Sequence, residues 1–147
     1  MQKKCHGWIL AVCLLASTLA HAIDNPDAPD HVNAFLQRAQ IHEQGIAQTP
    51  HTTQSYGEAY AAYEAFLDRE LNTAYAQLLT RLSAESGKVL KQAQRQWLNY
   101  RDQEFEWIAR NLTQENFGSS TIISRGDFRT KIIRDRVITL LHYLGNY

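Results

Sequence analysis

Residues 55–82 read SYGEAYAAYEAFLDRELNTAYAQLLTRL. Tyr56, Tyr60, Tyr63, Leu67, Leu71, Ala74, Leu78 and Leu82 recur at intervals of three and four, which aligns one apolar face for more than about six helical turns. No proline interrupts the run. Ser55 and Glu58 fit a capping box, in which each side chain satisfies an orphan amide at the helix start. A helix this long needs apolar partners, and the flanking sequence supplies them.

On the C-terminal side, Ser83–Gly87 reads as a break, because glycine inside a helix is costly. Lys88 to about Leu112 then carries Leu90, Ala93, Trp97, Tyr100, Phe105 and Ile108. These apolar residues cover more than one stripe, which predicts a helix set centrally between neighbours. Thr113–Thr121 reads as a polar loop, and a last helix carries Ile133, Val137, Leu140, Leu141 and Leu144 before Gly145. Its start is open: Asp127 caps it, or it begins near Thr121 with Gly126 inside. On the N-terminal side, Asp30 caps a short helix bearing Val32, Phe35, Leu36 and Ala39. Gly45 is read as its stop and Gly45–Gln54, with Pro50, as a linker. No strand pattern competes. The expected fold is all-α, a small antiparallel bundle of three main helices and a shorter first one.

The start of the chain reads differently. Lys3 and Lys4 precede an apolar run from Gly7 to Ala16, and Ala20-His21-Ala22 supplies a small-x-small site. That order is an export signal over residues 1–22, cut after Ala22, and too short in its apolar part for a spanning helix. Residues 23–54 form a leader with a short helix and a linker, and 55–147 the main helical domain. Cleavage removes Cys5 and Cys13, so the mature chain holds no disulfide. Of 15 basic residues Lys3 and Lys4 leave with the signal, which gives 13 against 15 acidic ones and a balance of −2. A mildly acidic, unclustered charge argues against nucleic acid and anionic membrane as partners. The expected location is the periplasm or the exterior, with no stable membrane anchor after cleavage.

Residues for catalysis are sparse. His31, His42, His51 and His142 fall in leader, linker or helix-end sequence, and none forms a zinc-binding pair. Asp68 with Glu70, and Glu104 with Glu106, lie two apart and point in different directions on a helix. No phosphate cradle or nucleophile elbow is present. The reading is a non-enzyme without cofactor or metal. Two polar stretches stand out instead. Asp68, Asn72 and Tyr75 share one helical face, with Glu70 nearby, and Gln94, Trp97 and Arg101 share another, beside Tyr100 and Asp102. Polar groups beside a tryptophan at a helix interface must be hydrogen-bonded. They read as a network joining the two helices, with Arg101 pairing to Asp68 or Glu70, and alternatively as a recognition patch.

The same residues carry a resemblance. Asp68, Glu70, Leu71, Asn72 and Tyr75, followed by Ala93-Gln94-Arg95, Trp97-Leu98, and Tyr100-Arg101-Asp102, resemble the two-part motif of the LprI-like lysozyme-inhibitor family of small secreted bacterial proteins. Gly118-Ser119-Ser120 and Arg136–Leu140 are similar less specifically. The likeness runs roughly from Ser55 to Leu144. It implies an all-helical fold and a protein partner, a lysozyme. It also implies cysteines near Phe105, in the Arg125–Arg129 region and around Tyr60 and Tyr63, and here those positions hold other residues. The loop Asn116, Phe117, Gly118, Ser119 and Ser120 is the candidate partner-binding segment, because loops on a rigid scaffold carry contacts.

Overall fold

A computed structural model describes residues 29–147. The predicted export signal and the first residues of the leader, 23–28, lie outside the described residues. Five helices follow one another: α1 (His31–Gln48), α2 (Thr53–Arg81), α3 (Ala84–Asn111), α4 (Gln114–Phe117) and α5 (Thr121–Leu144). The described chain is all-α, as the periodicity predicts.

The body of the molecule is α2 packed on α5, with α1 laid across both. From α2 come Tyr60, Tyr63, Phe66, Leu67, Leu71, Ala74 and Leu78, all buried. From α5 come Ile133, Val137, Leu140, Leu141 and Leu144. These two rows hold the three-four spacing over their whole length, so each fills the other's grooves. α1 adds Phe35 and Ala39, both fully buried, with the Phe35 and Phe66 rings stacked 6.2 Å apart. The segment read as a leader therefore contributes to the core.

α3 corrects the sequence reading. It is not central: it leans on α5 and buries only Gly87, Gln94 and Ile108. Leu90, Trp97 and Phe105 are half-buried against the core, while Val89, Ala93, Tyr100 and Trp107 are exposed. Its apolar residues are split between two stripes, and the continuous row of α5 outcompetes either stripe for the face of α2.

The helix ends also shift. Asp30 does cap α1, its Oδ1 accepting from the Asn33 amide at 2.8 Å, but α1 passes through Gly45 to Gln48. The linker shrinks to the few residues around Pro50. Thr52, not Ser55, caps α2, with Oγ1 accepting from the Ser55 amide at 3.1 Å. The expected capping box is thus displaced by three residues, and Glu58 instead accepts from Gln54 at 2.9 Å. Ser83 caps α3 directly after Leu82, so Gly87 lies in its first turn rather than in a break. α5 starts at Thr121 and carries Gly126 inside. The reason is steric: a Cβ at Gly126 would lie 2.3 Å from the ring of Tyr60. Glycine here permits close approach of two helices.

Candidate functional site

The two polar stretches meet along the seam where α3 faces α5 and α2. Gln94 is buried, and its Oε1 accepts from Arg136 Nε and Nη2 at 3.0 and 2.9 Å. Burial pulls the Arg136 guanidinium below its ordinary range. That guanidinium lies 5.8 Å from the Trp97 ring, and Arg101 approaches the same ring at 5.7 Å and Phe105 at 5.8 Å. Arg129 closes the series at 4.0 Å over Phe105 and makes a bidentate pair with Glu64, both bonds 2.7 Å. Arginine and aromatic side chains therefore alternate down the seam, an arrangement in which cations rest on ring faces while their edges remain hydrogen-bonded.

Arg101 bonds to Asp102 at 2.9 and 2.7 Å and reaches Asp68 at 3.8 Å. Of the expected network, Asp68, Gln94, Trp97, Arg101 and Asp102 come together. Glu70 does not: it turns to α1 and receives Arg38 at 3.0 and 2.6 Å. Asn72 and Tyr100 are exposed, and Tyr75 is half-buried against the core. The carboxylates that pair with Arg101 are not buried, since the Asp68 and Asp102 side chains are 51% and 62% exposed. Their attraction for Arg101 is therefore screened by water.

A second seam was not legible beforehand. Tyr60 donates to Asp127 Oδ1 at 2.6 Å, and Tyr63 donates to Glu43 Oε1 at 2.8 Å. Arg134 approaches the same Glu43 oxygen at 3.2 Å. Burial first, then the bonded carboxylates, push both phenols well above their usual range, so they act as fixed donors. His42 stacks on Tyr63 and Phe66, and His51 Nδ1 lies 2.8 Å from the Tyr56 hydroxyl. Three-four spacing marked the tyrosines as apolar positions. Nothing local in the sequence marked their carboxylate partners, which lie 20 and 67 residues away.

The Thr113–Thr121 segment is more ordered than a plain loop. Thr113 caps the single turn α4, and Gly118 follows with φ +76, a left-handed conformation suited to glycine. Thr121 is buried and its hydroxyl donates to the carbonyls of Gly118 (2.5 Å) and Thr113 (3.3 Å), which ties the tip to α5. Asn116, Ser119 and Ser120 are exposed, and the Phe117 ring is 60% exposed. An apolar ring is thus held out on a short, braced turn.

The arrangement defines a helical scaffold with polar seams inside and a braced tip outside. Among the described residues no group of three or more His, Cys, Asp or Glu is placed to hold a metal, and no helix is long and apolar enough to cross a membrane. The chain belongs to the family described as lysozyme inhibitor LprI, whose family model matches residues 45–140, from the last turn of α1 through most of α5. No curated protein and no solved structure matches the chain.

Proposed function

We propose that the protein is exported through its residues 1–22 and acts in the periplasm or outside the cell, as an inhibitor that occupies the cleft of a lysozyme-type hydrolase. Membership of the inhibitor family carries this reading. Two physical features support it. A mature chain with two more acidic than basic residues suits a cationic enzyme. The Asn116–Ser120 tip offers Phe117 as an apolar anchor, with Ser119 and Ser120 as hydrogen-bonding groups for a cleft that normally holds sugar. The molecule itself has no catalytic role in this reading and needs no cofactor.

The test is an activity titration of goose-, chicken- and invertebrate-type lysozymes against the purified protein. At least one class should lose activity in proportion to inhibitor. Phe117→Ala should weaken that inhibition at least about tenfold, about 1.4 kcal/mol, with melting temperature unchanged. Full activity of every class at large molar excess ends the inhibitor reading. A helical module for another envelope protein then takes its place.

A further inference from the structure

The second stripe of α3 has no partner within the described chain. Val89, Ala93, Gln96, Tyr100, Gln103 and Trp107 follow the alternating four-three spacing of a coiled-coil seam. All six are exposed, Val89 by 65%, Tyr100 by 50% and Trp107 by 56%. The stripe holds no charge and extends about 27 Å at 1.5 Å per residue.

Two features specify what covers it. The first is charge. Lys88 and Arg95 lie beside the N-terminal half of the stripe, while Asp102 and Glu106 lie on the same side of its C-terminal half. Asp102 and Glu106 are each paired within their own helix, with Arg101 and Arg110. Lys88 and Arg95 join no ion pair among the described residues, so the basic side is the one left to be met by an acidic flank. The second is register. Val89 and Trp107 lie nine residues either side of Leu98, Ala93 and Gln103 five, Gln96 and Tyr100 two. An antiparallel copy therefore sets a small or slender side chain against each large one, and the basic flank against the acidic flank.

A groove completes the match. Val89 and Ala93 also line an apolar cleft of about 610 Å³ with Leu78, Leu82, Tyr143 and Tyr147. In the antiparallel register a Trp107 ring arrives beside Val89, at the mouth of this cleft.

We infer that two copies of this chain pair antiparallel along the exposed stripe of α3, about a twofold axis at the level of Leu98, each seating its Trp107 in the cleft of the other. Such an interface is isologous and closes on itself. A parallel pairing is disfavoured because it sets like-charged flanks together. The pairing does not rest on lysozyme inhibition, and it uses a different face from the Asn116–Ser120 tip.

Sedimentation velocity on the purified protein over a concentration series tests this, with circular dichroism as the check on folding. The wild type should pass from monomer to dimer, and Trp107→Ser should shift that transition to at least about tenfold higher concentration. Lys88→Glu and Glu106→Lys should each weaken self-association. A mixture of the two should form a heterodimer tighter than either alone, and the double variant should regain wild-type behaviour. A wild type that stays monomeric up to about 1 mM overturns the inference. So does a dimer indifferent to Trp107→Ser, or a mixture no tighter than its components.

Discussion

The α2–α5 pair and α3 are similar in length and differ in almost everything else. Between α2 and α5 the bulk of the contact is apolar rows such as Leu67, Leu71, Ile133 and Val137, with the polar pairs Tyr60–Asp127 and Glu64–Arg129 confined to one end. Along α3 the inner face is Gln94, Trp97, Arg101 and Phe105, bound through arginines and ring faces. The first interface is driven by area removed from water and hardly depends on which aliphatic residue supplies it. The second gains less from burial and more from directional pairing. Of the residues that carry the resemblance, Gln94, Trp97, Arg101 and Asp102 of α3 and Asp68 of α2 lie on this seam, whereas Glu70 pairs with α1 and Asn72 is exposed.

This contrast gives a ranking that mutation and thermal or denaturant unfolding can break. Leu67 is fully buried between the two central helices. Leu67→Ala should cost about 3–5 kcal/mol, the largest single effect among these substitutions. Gly126→Ala comes next, at about 2–3 kcal/mol, because the added carbon must displace the Tyr60 ring. Trp97→Ala removes a half-buried side chain from the α3 seam and should cost about 2 kcal/mol, less than Leu67→Ala despite the larger ring. If Trp97→Ala proves the more damaging, α3 is part of the core and the distinction fails. Arg101→Ala should cost no more than about 1 kcal/mol, since both its carboxylate partners are mostly solvated. A loss of several kcal/mol there would mean the seam excludes water more completely than these exposures indicate.

The legibility of the sequence divides along the same line. Regular spacing made α2 and the last half of α5 plain, because burial of one face imposes a period that survives any choice of aliphatic residue. It misled on α3, where two stripes suggested a central helix. Periodicity reports which faces are apolar and does not say which of them another element will reach. Gly126 was one of two alternatives at the start of α5, and the close Tyr60 ring that selects between them comes from a distant helix. The Arg101–Asp68 contact could be anticipated from the stretches that hold it. Glu64–Arg129, Arg38–Glu70 and Gln94–Arg136 could not, because one partner of each, Arg129, Arg38 or Arg136, lies outside the two polar stretches. The resemblance implied cysteines near residues 60–63, 105 and 125–129. In the folded chain Phe105 stacks under Arg129, and Tyr60 packs on Gly126 and bonds to Asp127. Aromatic, cationic and hydrogen-bonded contacts join these positions here, in place of sulfur.

Hydrogen exchange of the protein, alone and with an inhibited lysozyme, tests the functional account most directly. Alone, the amides of α2 and α5 should be the slowest to exchange and those of α3 faster, as befits a helix held by a polar seam. With lysozyme present, the account predicts new protection centred on residues 113–121, with the α2–α5 core unchanged. Protection confined to another surface would remove the tip from the contact, and an exchange pattern untouched by every lysozyme class would contradict the inhibitor reading itself.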